Sequence, residues 1–493
     1  MKDGSEDALL RPGVNCWRVG EADRLAVIID ADGYFSALRS AMLQAEHSIL
    51  MIGWDFDARI KLGERNKPDN GPDRLGDFVL WLADQKPDLQ VRLLRWDTGA
   101  FLAMFRGTTW LTILRWKAHK RITLRLDAKH PLTSSHHQKI VVIDDALAFC
   151  GGIDMTAGRW DTREHRDDDP RRIGPNGRPH QPWHDATVAC DGPVAGILGD
   201  LARDRWAIAS GERLEPTPAP RSIWPDALEP VFRNVQVAVA RTRPDIPEVE
   251  EAHEIEQLYL DLIRGARRMI YAESQYFASR RIAQAIAERL AQDDPPEIVI
   301  INPDTAQGWL EPIAMDSARA RLVEALQRLD RQGRFRMYHP MTAAGEAIYV
   351  HAKVMIVDDR YLRVGSSNMN NRSLRLDTEC DVLLPASGQE AVRSQITQLR
   401  NDLLAEHLGC RDEDVGEAVR QRGLIGAIEH LRRPTGEGRT LQPYELPELN
   451  GVEQWLADNE ILDPNGPDRI FEPLSRRSLF KGWRWPRRRR SKR

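Results

Sequence analysis

The chain has 493 residues, of which 41% are hydrophobic, and its formal net charge at pH 7 is −4. This length allows two or more domains with sizeable cores, and no apolar run is long enough to predict a membrane-spanning helix. The charge is unevenly divided, because ten Lys or Arg and no acid lie between Arg476 and Arg493, so the rest of the chain is acidic.

In chain order, residues 1–24 carry no apolar segment typical of a secretory signal, and we expect a loosely ordered lead-in. The first half then predicts a strand, a helix and two strands at 25–30, 34–46, 48–56 and 89–97. The second half predicts a helix and two strands in the same order at 258–268, 269–277 and 297–304. This alternation predicts an α/β fold in which helices cover the sheets of two similar, facing lobes.

The connections between these elements suggest where the chain divides. A polar loop at 163–182 is rich in Pro and Gly and predicts a long surface segment. Its acids, Asp167, Asp168 and Asp169, match no calcium loop, so we expect a solvated acidic run. The predicted divisions are a lead-in, a first lobe, a Pro-rich linker, a second lobe, a helical extension (helices near 415–431 and 452–459) and a basic tail, at 1–24, 25–210, 211–230, 231–410, 411–475 and 476–493.

The five cysteines show neither metal nor redox spacing. Cys150, Cys190 and Cys380 lie in apolar runs, and we expect them to pack as small hydrophobic residues. Together with Cys16 and Cys410 they predict a reducing, cytoplasmic setting.

The strongest signal is a duplicated stretch with a His-x-Lys-x4-Asp pattern inside a β-branched run. The motif residues are His137, Lys139 and Asp144 in the first copy and His351, Lys353 and Asp358 in the second. The copies align without a gap from 137–156 to 351–370, with six identical positions. A histidine that only packs in a core would not be expected to recur with these neighbours, so the repeat indicates a duplicated functional unit.

These residue types are the ones that phosphodiester cleavage requires. The reaction needs a nucleophile, an acid for the leaving oxygen and positive charge on the non-bridging oxygens. Two histidines can divide the first two roles, because an imidazole titrates near pH ~6.5, and Lys139 and Lys353 can neutralise the phosphate. A zinc site at the histidines is disfavoured, because lysine is a poor partner for the metal.

Strand geometry separates the motif aspartates from the other motif residues. Alternate residues share a face of a strand, so His137 and Lys139 point together while Asp144 faces the opposite side. The second copy has the same spacing, which places Asp358 behind its own histidine. We therefore expect both aspartates to be structural anchors.

The paired motifs resemble the phospholipase D superfamily, whose active site is assembled from two such copies. Similar segments lie at 151–161, 183–185, 270–277 and 365–373, and the resemblance covers residues 25 to 410. It implies two phospholipase D-like lobes, each a mixed β-sheet flanked by helices, with the active site at their interface.

Each motif histidine needs an acceptor that fixes its tautomer. Asp185 and Glu379 lie at comparable places downstream of their motifs, and the resemblance places the histidine-orienting carboxylates on these strands. The repeat order predicts that Asp185 serves His137 and Glu379 serves His351, with Asp381 as the alternative to Glu379. The competing interpretation is that these are surface acids at strand starts.

The turns that follow the motifs predict contacts with the substrate. Gly152 and Ser366 lie where the backbone can approach a ligand closely, and Asn368 can donate an amide hydrogen to a phosphate oxygen. The counterpart of Asn368 is Asp154, which cannot donate when ionised and is left out of the predicted phosphate-binding set.

The resemblance implies a phospholipase D-type phosphodiesterase or transphosphatidylase that forms a phosphohistidine, with His137 as nucleophile and His351 as acid and base. No cofactor or metal is implied, and the symmetry of the two copies cannot by itself order the histidines. The alternatives are a cardiolipin-synthase-like phosphatidyltransferase, a superfamily nuclease and a non-catalytic membrane scaffold. The acidic body argues against the nuclease, which spreads positive charge along its groove, and two intact motifs argue against the scaffold.

The tail suggests the partner. Leu479, Phe480, Trp483 and Trp485 alternate with basic residues, a composition that favours an anionic membrane surface. We expect a monomeric catalytic unit that acts on phospholipid at the inner face of the membrane. A solubilising or RNA-binding tail is the alternative.

Overall fold

The computed structural model describes residues 9–63, 69–97, 109–131, 134–217, 223–306 and 315–447. Its strands are β1 Arg18–Ile29, β2 Ser48–Gly53, β3 Gln90–Trp96, β4 Ile122–Asp127, β5 Ile140–Ile143, β6 Leu147–Gly151, β7 Trp183–His184, β8 Ala186–Asp191, β9 Phe232–Arg243, β10 Ala252–His253, β11 Met269–Glu273, β12 Glu297–Ile301, β13 Phe335–Met341, β14 Tyr349–Val350, β15 Val354–Val357, β16 Tyr361–Gly365, β17 Glu379–Pro385 and β18 Thr440–Pro443. Its helices are α1 Ala31–Gln44, α2 Leu75–Gln85, α3 Thr109–Ala118, α4 Pro193–Ser210, α5 Glu254–Gly265, α6 Arg280–Leu290, α7 Ser317–Leu329, α8 Glu390–Leu408 and α9 Asp412–Leu431.

Sixteen of the described strands form one continuous mixed sheet, in the order β18-β13-β12-β11-β15-β16-β17-β9-β1-β8-β6-β5-β2-β3-β4, with β10 beside β9. Outward from its centre, β1-β8-β6-β5-β2-β3-β4 corresponds strand for strand to β9-β17-β16-β15-β11-β12-β13. We call these halves the first and the second lobe. The predicted α/β fold with two similar lobes is confirmed. The lobes do not carry separate sheets, however, because β1 and β9 pair antiparallel and join them edge to edge.

Helices cover both faces of this sheet because successive strand residues point to opposite sides. On one face, α4, α8 and α9 pack on a core that both lobes share. On the other face, α1 and α2 cover the first lobe, and α5, α6 and α7 cover the second. Cys150, Cys190 and Cys380 are buried in the shared core, so their predicted packing as small hydrophobic residues is confirmed.

Some element boundaries differ from those that the sequence predicts. β1 begins at Arg18, inside the predicted lead-in, because residues 18–24 pair with β9. Beyond residue 410, α9 packs on the shared core and β18 pairs with β13, so this part of the predicted extension belongs to the second lobe. The predicted helix at 452–459 and the basic tail lie outside the described residues.

The loop at 163–182 is fixed by its acids. Asp167 accepts hydrogen bonds from the Thr342 hydroxyl and, at 3.0 Å, from the Ala344 N–H in the second lobe. Asp169 is buried and pairs with Arg171. The expected solvated run is therefore wrong for these two residues. Among the described helices, none combines the length and the apolar character that crossing a bilayer requires.

Candidate active site

Parallel backbone contacts cross the seam between the lobes and bring the two motif histidines to it. β14, just before the second motif, pairs with β7 of the first lobe, and His136 forms a bridge to Thr378. The histidine backbones continue these contacts, because the His351 N–H donates to the His184 carbonyl at 2.7 Å and the His137 N–H to the Thr378 carbonyl at 3.0 Å. Each histidine thus lies beside a strand of the other lobe.

Each histidine is bound by a carboxylate of the other lobe. His137 Nδ1 lies 2.9 Å from Glu379 Oε1, and His351 Nδ1 lies 2.6 Å from Asp185 Oδ2. The repeat order predicts the opposite pairing, and that prediction is wrong because the seam contacts exchange the partners. A proton on Nδ1 is donated to the carboxylate in each pair, which leaves Nε2 as the nitrogen that can act on a substrate.

Asp381, the alternative acceptor, is engaged elsewhere. Its carboxylate accepts hydrogen bonds from Arg363 Nε at 2.8 Å and from the Ser367 hydroxyl at 2.6 Å. All three side chains are buried. Asp381 therefore holds the turn that follows β16.

The two motif aspartates lie behind the site. Asp144 accepts hydrogen bonds from three consecutive backbone N–H groups, those of residues 46–48, at 2.5–2.9 Å. Asp358 accepts the equivalent three from residues 267–269 at 2.7–2.9 Å. Each aspartate ties the end of its motif strand to the start of the neighbouring antiparallel strand, β2 or β11.

The two motif lysines have different surroundings. Lys139 Nζ donates to the His137 carbonyl at 2.9 Å and lies 3.2 Å from Asp154 Oδ2. Lys353 Nζ donates to the His351 carbonyl, and Gln275 Oε1 lies 3.4 Å away. The first lysine thus has an anionic neighbour where the second has a neutral amide.

Gly152 and Ser366, which the sequence assigns to substrate contact, support the carboxylates instead. The Ser366 hydroxyl donates to Glu379 Oε2 at 2.5 Å and is fully buried. A Cβ atom at Gly152 would lie 2.1 Å from Asp185 Oδ1, so only glycine leaves room for that carboxylate. The third residue of the predicted set, Asn368, lies beside Gln275 at 3.4 Å, next to Lys353.

Burial and nearby cations disfavour the charged forms of the two motif histidines. Burial, followed by the charges of Lys139 and Lys353, lowers the pKa of His137 well below its usual value. Burial and the charges of Lys353 and Arg159 do the same to the pKa of His351. Burial also lowers the pKa of Lys353 to about 7 and raises the pKa of Glu379 well above its usual value. A phosphate anion would offset this excess of positive charge.

Aromatic rings that sequence reasoning missed flank both histidines. Trp54 stacks on Trp96 with ring centroids 5.8 Å apart, and its ring lies 6.2 Å from that of His137. Trp183 stacks on Tyr349 at 4.6 Å and lies 5.2 Å from the His351 ring. The repeat contains a signal for Trp54, because the aligned strands place it at the position of Gln275, which lies beside Lys353.

A second group of titratable residues lies buried beside the active site and was also missed. Asp30, His165, His184 and Glu406 have one potential ligand atom each within 4.8 Å of one another. The remaining ring nitrogens bind carboxylates: His165 Nδ1 lies 3.1 Å from Asp161, and His184 Nε2 lies 2.9 Å from Glu273.

Two imidazoles and two carboxylates form a donor set that a divalent cation accepts, and carboxylates behind the imidazoles are typical of metal ligands. The same group is also compatible with protonated histidines. Burial lowers the pKa of His165, but Asp30, Asp161 and Glu406 outweigh this effect and raise it to about 9. The members come from distant parts of the chain, so no sequence spacing signals them.

Comparison with protein families matches both lobes. A family model described as "Phospholipase D" matches residues 41–223, and one described as "Cardiolipin synthase, PLD-like domain" matches residues 259–402. The two matched ranges contain one copy each of the His-x-Lys-x4-Asp motif.

Curated relatives are similar over most of this chain. "Phospholipase D alpha 1" of Carica papaya is 23% identical and the alignment covers 82% of this chain and 67% of the relative. "Phospholipase D alpha 1" of Ricinus communis is 25% identical, with coverage of 76% and 63%. "Phospholipase D1" of Saccharomyces cerevisiae is 24% identical, with coverage of 80% and 29%. The chain therefore spans about two thirds or less of the length of these relatives.

Among solved structures, phosphatidylserine synthase of Haemophilus influenzae Rd KW20 superimposes with a TM-score of 0.55. It is 15% identical, and the superposition covers 78% of this chain and 86% of that protein. At this identity the likeness concerns the fold.

Proposed function

Because the chain belongs to the phospholipase D superfamily, we propose that it cleaves the headgroup phosphodiester of a glycerophospholipid and passes the phosphatidyl group to water or an alcohol. One observation carries the proposal. Two histidines from different lobes, each bound by a carboxylate of the opposite lobe, lie at one seam with two lysines.

The proposed reaction has two displacements at phosphorus. In the first, His137 Nε2 forms a P–N bond, the bond to the headgroup oxygen breaks, and His351 gives that oxygen a proton. In the second, His351 takes a proton from water or an alcohol, whose oxygen attacks phosphorus as the P–N bond breaks. The lysines and Asn368 stabilise the negative oxygens in both steps. The order of the two histidines follows the family resemblance.

A cardiolipin-synthase-like phosphatidyltransferase is the second candidate. It would use the same residues with a phospholipid alcohol as acceptor, and the description of the family model that matches the second lobe favours it. A nuclease is the third candidate and is disfavoured by the acidic composition outside the tail.

Product analysis would distinguish these reactions. We expect the protein, incubated with phosphatidylcholine or phosphatidylglycerol vesicles, to release phosphatidic acid, and to form the phosphatidyl ester of added ethanol. His137→Asn and His351→Asn should each abolish both products, whereas His430→Asn, on the exposed face of α9, should change neither. Formation of cardiolipin from phosphatidylglycerol alone would favour the transferase, and cleavage of an oligonucleotide without lipid turnover would refute the proposal.

A phosphoenzyme trap would test the order of the histidines. Rapid acid quench with radiolabelled phospholipid, followed by peptide mapping, is expected to place the label on His137. Label on His351 would reverse the two roles, and no label under any quench condition would contradict the covalent scheme.

A further inference from the structure

The first motif of the active site contributes less positive charge than its lysine suggests. Lys139 Nζ lies 3.2 Å from Asp154 Oδ2, with side chains that are 4% and 2% exposed. The ion pair is therefore shielded from water, and Asp154 offsets the charge of Lys139. The matching position in the second motif is Asn368, a neutral residue. Of the two motif lysines, only Lys353 forms no ion pair with a carboxylate in the described part of the chain, and Asp185 acts on its charge from beyond ion-pair distance.

A single cation is a weak match for phosphoryl transfer. The ground-state phosphodiester carries one negative charge, and its equatorial oxygens gain charge in the transition state, so sites of this kind place several cations there. A second cation near His351 that is not held in an ion pair would supply what the Lys139–Asp154 pair does not.

Arg159 lies on the loop that continues from Asp154 and is positioned to be that cation. Its guanidinium carbon lies 4.0 Å from the centroid of the Trp183 ring, and the same ring lies 5.2 Å from that of His351. Tyr349 stacks on Trp183 at 4.6 Å and completes the support. Stacking on a buried indole fixes the guanidinium without consuming its hydrogen-bond donors.

Arg159 also differs from three arginines that follow it in the same loop and form ion pairs. Arg163 pairs with Glu406, Arg171 with Asp169 and Arg172 with Asp161. Arg159 forms no ion pair with any residue in the described part of the chain, and its Nε is buried without a hydrogen-bond partner there. A buried guanidinium donor that the protein leaves unsatisfied is one that a ligand oxygen can use.

The charge of Arg159 reaches the catalytic groups. It contributes, after burial and Lys353, to lowering the pKa of His351. It also acts on Asp185, the carboxylate partner of His351, and on Lys353. These effects agree with the stacking geometry in placing the guanidinium at the His351 side of the site.

We propose that Arg159 is a phosphate-binding residue that acts together with Lys353 on the non-bridging oxygens and replaces the charge that Asp154 takes from Lys139. This inference rests on the proposed function, which makes the ligand a phosphodiester. The recognised chemistry is the phosphoryl anion itself, independent of the headgroup.

Binding of inorganic phosphate to the full chain, measured by isothermal titration calorimetry at fixed pH and ionic strength, tests the proposal. We expect Arg159→Gln to weaken phosphate binding about tenfold or more, in line with the loss of one charge-assisted hydrogen bond. Arg159→Lys should recover most of the affinity. Arg178→Gln, an exposed arginine of the same loop, is the matched control and should bind like the wild type. Wild-type affinity in Arg159→Gln, with an unchanged Tm, would overturn the proposal.

A double-mutant cycle tests the replacement directly. Asp154→Asn keeps a carbonyl acceptor for the Trp54 and Asp55 N–H groups that Asp154 binds, but it releases the charge of Lys139 and copies Asn368. We expect the loss caused by Arg159→Gln to be severalfold smaller in the Asp154→Asn background. Strict additivity of the two changes would overturn the replacement.

The phosphate assay separates this inference from the proposed function. If phosphate binding depends on Arg159 but no phospholipid is cleaved, the binding role stands and the proposed lipid substrate fails. If phospholipid is cleaved while neither phosphate affinity nor kcat/KM depends on Arg159, the proposed function stands and this inference fails.

Discussion

At the scale of single residues, the two motif histidines are placed alike but are supported by different acids. Glu379 binds His137 and accepts a hydrogen bond from the Ser366 hydroxyl. Asp185 binds His351 and packs closely on the backbone of Gly152, where a side chain would not fit. If His137 is the nucleophile and His351 the acid and base, removing each carboxylate charge should impair a different step of the reaction.

With a substrate that has a good leaving group, replacing Asp185 and replacing Glu379 should have opposite effects on the amount of phosphoenzyme. With a p-nitrophenyl phosphodiester, departure needs no protonation, so Asp185→Asn should still form the phosphoenzyme and accumulate it, because His351 no longer activates water. Glu379→Gln should slow phosphoenzyme formation itself by about 10²–10⁴-fold. Rapid-quench measurement of the burst and of the trapped adduct checks this. Accumulation in Glu379→Gln but not in Asp185→Asn would mean that the histidine roles are reversed.

The buried Lys353 makes anion binding depend on pH. Its pKa is lowered by burial to about 7, so the lysine is cationic below this pH and loses its charge as pH rises through it. Sulfate, whose charge is constant in this range, should therefore bind more tightly at pH 6 than at pH 8.5. Calorimetry at constant ionic strength measures the difference.

Lys353→Arg is the control for this pH dependence, because a guanidinium stays protonated throughout the range. Its sulfate affinity should change much less between the two pH values. An equal dependence in the wild type and in Lys353→Arg would assign the titration to another group.

At the scale of the elements, the local sequence pattern predicted the motif strands and the two similar lobes. The contacts between distant parts of the chain could not be predicted from it. Strand alternation within one motif was enough to separate His137 and Lys139 from Asp144, and the repeat was enough to predict two similar lobes. The partners of the carboxylates could not be predicted in this way, because His136 and Thr378 meet across the seam although 242 positions separate them. No local propensity encodes which lobe supplies the neighbouring strand.

The aspartate anchor behind the first motif should contribute to stability more than to chemistry. Asp144 has a positive φ of 50°, a conformation that Asn also tolerates, so Asp144→Asn removes charge with little backbone strain. The amide cannot accept all three N–H groups that the carboxylate binds, and we expect a loss of about 1–3 kcal/mol in the free energy of unfolding.

Chemical denaturation of Asp144→Asn beside Asp226→Asn, an exposed control, would measure this loss. The kcat of the folded variant should stay near that of the wild type at low temperature. A large fall in kcat without a loss of stability would give Asp144 a catalytic role that its position behind the strand does not suggest.

At the scale of the whole molecule, the site requires both lobes. β1 and β9 join the two halves into one sheet, and the shared core on one face contains residues of both. Neither lobe holds a motif histidine together with its carboxylate, so an isolated half would lack an oriented imidazole. The duplicated sequence therefore encodes one site in one chain. The proposed reaction on phospholipid further requires access of this chain to a membrane surface.

The basic tail at 476–493 is proposed to supply that access. Each of its Lys or Arg residues near anionic lipid adds on the order of 1 kcal/mol, and its tryptophans favour the membrane interface. We expect a chain ending at residue 475 to bind phosphatidylglycerol-containing vesicles at least tenfold more weakly in a flotation assay, and its turnover of a soluble short-chain substrate to stay unchanged. Trp483→Ala with Trp485→Ala keeps all ten cations, so its residual binding should be more sensitive to salt than that of the wild type. Equal vesicle binding by the truncated and the full chain would mean that the folded lobes, and not the tail, contact the membrane.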